Sequence, residues 1–325
     1  MSRIIKAFIC SLIIFTTPVA ALASDGEIRV ALDDLPGIDM LPILVAVERA
    51  KERGLKIKVS YMLSEGMAMR TIMNKQADIG MGTPYKTIQE TQAPIRMFYQ
   101  LNKLRFHPVV NATKFNAWSE LDGIDMYSHG SGSGTEAIMN MMAKKHGISY
   151  RKMFYLPGSG VRANAMINGR INATVVDTER KNMLLSMPSG VFKRLPMEEV
   201  NASDEALYAH QSFIKSNQKE LKVLIQELVF VWQAMVENSQ YVSEQSIKYG
   251  LLGKHRPQEI DQYYDEMVSE GAFPIDGGLK EAFNADAVFY SFSGTLKGEQ
   301  DSHCLDDYWD FSLLRDVMTK GADRH

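Results

Sequence analysis

Cysteine is nearly absent: the chain has two, Cys10 and Cys304, in 325 residues. Cys10 lies in an N-terminal apolar run, so removal of that run would leave one cysteine and exclude an intrachain disulfide. A chain of this length must then rest on its hydrophobic core, and it is long enough for two lobes or domains. A basic excess is also missing. The formal net charge is −3, which argues against nucleic-acid binding. The seven histidines lie apart without an H-x-x-x-H pairing, so no metal site is expected. After the N-terminal run no segment is long and apolar enough to span a bilayer.

What is present begins with that run. MSRIIKAFICSLIIFTTPVAALAS has basic Arg3 and Lys6, an apolar stretch from Ala7 to Phe15, and Ala21-Leu22-Ala23 as a small-x-small cleavage site. This is the grammar of a secretory signal peptide. We expect a leader over 1–23, cleaved after Ala23, and an exported mature protein. The 20 methionines, dense in MAMRTIM and MNMM, fall on helix faces and are expected to fill core gaps, not to bind metal.

The mature chain alternates strand and helix patterns. IRVAL reads as a strand, then a turn Asp33-Asp34-Leu35-Pro36-Gly37, then Leu41, Leu44, Val45 and Glu48 at helical spacing. LKIKVSYM alternates as a strand. Gly66 to Gln76 reads as a helix, and ADIGM as a strand ending at Gly82-Thr83-Pro84. This order implies a mainly parallel sheet with helices on its faces. The pattern restarts at Ile124–Tyr127, with a helix over Thr135–His146, a strand over Met153–Leu156, a helix near Val161–Asn168 and the strand ATVVD ending at Asp177. The halves echo each other: MNKQADIGMGTP (73–84) aligns with INGRINATVVDT (167–178) at an offset of 94. After about residue 212 the chain is mostly helical, with a wide apolar stripe through Leu221, Leu224, Ile225, Leu228 and Trp232. One amphipathic piece is expected over 305–319.

The stretch GSGSGT (130–135) admits two readings. It could grip an anion, because glycines let backbone N–H groups approach a ligand and a helix N-terminus favours negative charge. It could equally be a glycine-rich N-cap with Ser133 or Thr135 as the capping residue. It is not a P-loop, since the lysine of G-x-x-x-x-G-K-[ST] is missing and Glu136 sits nearby. G-S-G-S-G also satisfies G-x-S-x-G, so a hydrolase using Ser133, His210 and Asp177 stays open.

IRVAL with its turn, LPILVAVERAKERGLKIKV, MNKQADIGMGTP, LDGIDMYSHGSGSGT and INGRINATVVDT follow one another over residues 28 to about 180. In order and spacing they resemble the periplasmic solute-binding proteins of ABC importers with the type II fold. The branch is the one that includes nitrate-, sulfonate- and taurine-binding proteins and binders of the thiamine pyrimidine precursor. That resemblance implies an α/β fold of two lobes, each a mainly parallel sheet flanked by helices, with a helical C-terminal part. It places the first lobe in 24–108 and 210–325 and the second in 109–209. It also implies a non-enzymatic, cofactor-free monomer that captures a small polar or anionic organic solute and delivers it to an inner-membrane permease; with residues 131–135 gripping an acid group and Asp33 or Asp34 an amine, an acid-bearing or zwitterionic solute would suit. Where the family often carries an aromatic or acid-proline sequence, this chain has Asp177-Thr178-Glu179-Arg180.

Ligands of open α/β sheets bind at the carboxyl ends of strands. In the first lobe those ends are Asp33, Asp34 and Leu35, and Thr83, Pro84 and Tyr85. In the second they are Ser131, Gly132, Ser133, Gly134 and Thr135, and Asp177 and Thr178. Asp33 or Asp34 could recognise an amine or form an Asx turn. Tyr85 could cover a ligand or pack in the core. Asp177 ends a buried-looking strand, where an acid is unusual unless paired or open to a cleft. The alternatives from other classes are an exported enzyme, either a hydrolase or a pyrimidine-precursor synthase-like relative, and a ligand-sensing module.

Overall fold

β1 (Glu27–Leu32) alternates Ile28 and Val30 inward, and it is the strand on which the first sheet is organised. The structure, a computed structural model, describes residues 26–322; the expected leader and its cleavage site lie outside them. After β1 come α1 (Leu41–Glu52), β2 (Lys56–Tyr61), α2 (Glu65–Met73), β3 (Ile79–Gly82), α3 (Tyr85–Thr91), β4 (Ile95–Lys103) and β5 (Phe106–Asn111). Then follow β6 (Asp125–Ser128), α4 (Gly134–His146), β7 (Lys152–Tyr155), α5 (Ser159–Ile167), β8 (Ala173–Asp177) and α6 (Thr178–Leu185). β9 (Phe192–Arg194) and β10 (Ser203–His210) are the last strands. The C-terminal part is helical: α7 (Gln211–Ser216), α8 (Gln218–Glu237), α9 (Gln240–Tyr249), α10 (Pro257–Ser269), α11 (Leu279–Ser293), α12 (Leu305–Tyr308) and α13 (Ser312–Ala322).

The first sheet has the order β2-β1-β3-β10-β4. β2, β1 and β3 run parallel, as the βαβ pattern requires, whereas β10 runs antiparallel to both β3 and β4. The second part has β5 between β8 and β9, antiparallel to each, and a parallel β6-β7 pair. The expected α/β architecture holds, with mixed sheets in place of mainly parallel ones. Antiparallel β10 is the cause in the first sheet: it is the returning strand, so it enters from the opposite end.

The chain changes sheet between Lys103 and Phe106 and again between Arg194 and Ser203. The boundaries expected at 108/109 and 209/210 fall inside β5 and at the end of β10. α8 lays its apolar face, including Leu224, Leu228 and Trp232, into the main core, and Trp232 Nε1 donates to the Leu101 carbonyl of β4 at 2.6 Å. The amphipathic piece expected over 305–319 is two helices. Trp309 breaks it by bridging to Met97 beside the β4 edge, where the Asp310 N–H donates to the Met97 carbonyl.

The internal echo has a backbone counterpart. Asn74 and Asn168 are the C-caps of α2 and α5, and the next residues, Lys75 and Gly169, both take left-handed φ, 56° and 64°. Each helix therefore leaves through the same turn into a strand, β3 in one half and β8 in the other.

Candidate functional site

Strand ends from both sheet systems meet at a cleft of about 310 Å³. The first lobe contributes Asp33, Asp34 and Leu35 after β1, Glu65 at the start of α2, and Asp204 and Glu205 of β10. The second contributes His129, Ser133, Gly134 and Thr135 between β6 and α4, and Asp177 and Thr178 between β8 and α6. Eight of the predicted binding residues thus share one cavity. Thr83, Pro84, Ser131 and Gly132 line a smaller neighbouring space of about 50 Å³. There Lys86 Nζ donates to Ser131 Oγ at 2.8 Å, a hydrogen bond from one lobe to the other.

Tyr85 is in neither space. It is 0% exposed; its hydroxyl donates to Asp286 Oδ2 and accepts from Trp309 Nε1, each at 2.6 Å. Asp286 also accepts from the Ser203 N–H and hydroxyl. The packing reading of Tyr85 describes its place, because its hydroxyl ties the C-terminal helices to the first sheet.

The glycine-serine stretch spends several of its donors on itself. Ser133 is the N-cap of α4, accepting from the Glu136 N–H at 3.4 Å, while its hydroxyl donates to the Gly130 carbonyl at 2.7 Å. The Glu136 carboxylate turns back and accepts from the Gly132 N–H at 2.6 Å, in the manner of a capping box. The His129 N–H donates to Thr135 Oγ1. The position an anion would occupy against the Gly132 amide holds a carboxylate of the chain itself. Asp177 likewise caps α6, accepting from the Arg180 N–H at 2.7 Å, yet it still faces the cleft. The Ser133–His210–Asp177 combination is not assembled through hydrogen bonds: His210 Nδ1 pairs with Ser212.

The cleft residues that the sequence pattern missed include five acids, Asp39, Glu65, Glu179, Asp204 and Glu205. Asp204 and Glu205 are adjacent in a strand, where neighbouring side chains should face opposite ways. The β10–β4 ladder is irregular here, with Ser203 opposite Lys103 and Glu205 opposite Asn102. Asp204 is the extra residue of a bulge, and bulges re-aim side chains; both acids line the cleft. No periodicity reveals a bulge, although two acids opening the otherwise apolar run ALYA were a visible oddity.

Electrostatics follow from that crowding. Asp33 is 5% exposed, and its Oδ1 has no hydrogen-bond partner among the described residues. Burial, then the charges of Glu65, Asp204 and Asp34, hold its carboxyl well above the usual range. Burial pushes Glu65 up to about 7. Asp204 and Glu205 are also held high, by burial first and then by neighbouring acids. His129 accepts at Nδ1 from the Gly158 N–H at 3.2 Å, so its proton sits on Nε2, which is buried without a partner. Burial, then Arg162, lowers its pKa to about 4, which keeps it neutral. Among the described residues no group of three or more His, Cys, Asp or Glu is placed to hold a metal ion.

Two mixed sheet systems with a cleft at their seam and a helical return define the type II periplasmic-binding fold. A protein from Bordetella bronchiseptica RB50 superposes with a TM-score of 0.73 at 16% identity, covering 91% of this chain and 98% of that one. The periplasmic nitrate-binding protein NrtA from Synechocystis PCC 6803 gives 0.68 at 14% identity, covering 91% and 89%. The alkanesulfonate-binding protein SsuA from Xanthomonas axonopodis pv. citri, bound to MOPS, gives 0.61 at 14%, covering 85% and 96%. Residues 38–241 match the family described as NMT1/THI5 like, and the chain belongs to that family. No curated protein matches it by sequence.

Proposed function

We propose that the chain is the solute-binding component of an ABC-type import system, working outside the inner membrane and handing a small polar solute to a permease. The observation that carries this is the cleft itself, lined by strand ends and helix starts of both lobes. Such convergence is where open α/β sheets take ligands. The segments between Lys103 and Phe106 and between Arg194 and Ser203 are the natural hinge, since there the chain leaves the first sheet for the second part and returns to it. Among the described residues no helix is long and apolar enough to cross a membrane.

Native mass spectrometry of the protein purified from its own host tests the reading. A bound small molecule should appear, and adding it back should raise the melting temperature, as a ligand selective for the native state does. Deleting the gene should abolish uptake of that molecule. Catalytic turnover of the bound molecule, lost in Ser133→Ala, would replace this reading with an enzyme.

A further inference from the structure

The charge of the cleft says more about the solute than its shape does. Eight of its lining residues are Asp or Glu, against the cations Lys103, Arg105, Arg180 and Lys254. Two of those four are committed elsewhere. Arg105 donates to the carbonyls of Leu104, Val200, Glu270 and Gly271 and to the Glu199 carboxylate. Arg180 pairs with Glu179, itself one of the eight acids, so that pair drops out of the count on both sides. On the first-lobe wall, Asp33, Glu65, Asp204 and Glu205 make no ion pair with any described residue. The one side-chain donor that reaches any of them is the Asn102 amide, on Glu205 at 3.2 Å.

Two residues lining the cleft each carry a buried orphan atom, and one of them, His129, stands outside that charge count. Asp33 Oδ1 is an acceptor without a donor, and His129 Nε2 is a donor without an acceptor. A buried polar group left unpaired is costly and in a native fold calls for a partner. In the second-lobe loop the Gly132 amide and the Ser133 hydroxyl are already taken, so these two donors do not recruit an anion to balance the wall.

We propose that the cleft takes an organic cation, an amine or a diamine, whose ammonium group lies against Asp33, Glu65, Asp204 and Glu205, with an acceptor atom or a bridging water meeting His129 Nε2. This rests on the reading of the cleft as a solute site and sharpens it. It departs from the acid-bearing solute that the sequence suggested. A metal ion is a poorer occupant, because no group of described ligands converges on one point. A cavity of about 310 Å³ is at the small end of ligand pockets, which suits a short diamine with water.

The test is a thermal-shift and calorimetry panel at neutral pH and low salt. The probes are 1,4-diaminobutane and related amines, guanidines and quaternary ammonium compounds, neutral 1,4-butanediol, taurine, nitrate, and magnesium and calcium chloride. We expect at least one organic cation to raise the melting temperature and to bind at least ten-fold more weakly to Asp33→Asn and to Glu205→Gln. Circular dichroism confirms that each variant is folded, and either variant alone suffices if the other is not. The diol, the acids and the metal salts should leave the protein unshifted. A shift from taurine or nitrate with none from any cation overturns the charge assignment and leaves solute capture standing. A divalent ion acting alone, or full cation affinity in both variants, also overturns the assignment. No shift from the whole panel, with no co-purified molecule, overturns both readings.

Discussion

Tyr85 and Asp286 are separated by 201 positions in sequence and joined by a 2.6 Å hydrogen bond in the core. The pair fastens α11 to the start of α3. Burial pushes the Asp286 carboxyl up to about 6, with the donors Tyr85 and Ser203 pulling the other way.

Tyr85→Phe removes the donor to Asp286 and the acceptor of Trp309 Nε1 together. It should cost about 1–3 kcal/mol, read from urea denaturation. Affinity for the solute should stay within two-fold, roughly the effect of a residue outside the site. A large affinity loss with unchanged stability would put Tyr85 in the cleft after all.

Acids held high in the folded state give the empty protein a pH dependence of known sign. Glu65, pushed up to about 7, binds a proton more tightly folded than unfolded. Its contribution is complete below the ordinary carboxyl range and is lost as pH rises through about 7. Asp33, Asp204 and Glu205 are shifted in the same direction. Glu65→Gln should therefore melt higher than wild type at about pH 8, and the gap should close as pH falls toward about 4.5. Calorimetric scans of the two ligand-free proteins across that range measure it.

Glu136→Ala deletes the carboxylate that satisfies the Gly132 amide, and it also frees the Tyr155 hydroxyl, which donates to the other oxygen at 2.6 Å. A loss of about 1 kcal/mol is expected, the ordinary effect of removing a helix cap. With the amide released, sulfate should stabilise the variant more than it stabilises wild type. Equal sulfate effects would show that the loop never had an anion position to block.

Gly132→Ala probes the same turn through the backbone. Gly132 has φ +85°, and a Cβ would meet the Lys86 side chain at 3.1 Å. Left-handed backbone at a residue with a Cβ costs about 1–2 kcal/mol, and here it also presses on the residue that reaches across to Ser131. The expected result is a lower melting temperature and a shift of the lobes toward the open state, visible as a larger radius of gyration in X-ray scattering.

The parts of this protein legible in its sequence are those that repeat or alternate. The offset of 94 between MNKQADIGMGTP and INGRINATVVDT located two equivalent helix-to-strand turns, down to the left-handed Lys75 and Gly169. Strand ends named from periodicity supplied Asp33, Ser133, Thr135 and Asp177 to one cavity. The sequence did not reveal what depends on partners far along the chain. β4 and β10 pair across about a hundred residues, so their bulge and the acids it presents have no local signature. Tyr85 and Asp33 each follow a first-lobe strand, but only the first faces an aspartate and a tryptophan contributed by the C-terminal helices.

The unpaired wall of Asp33, Glu65, Asp204 and Glu205 also bears on timing. Bringing the lobes together over an empty cleft would strip water from several carboxylates at once or force them to take up protons, and either is unfavourable. A positively charged occupant removes that barrier as it enters. Cargo and conformation are then coupled by electrostatics alone. On the proposed reading, an empty protein would then be held back from imitating a loaded one, and a permease would meet few false deliveries.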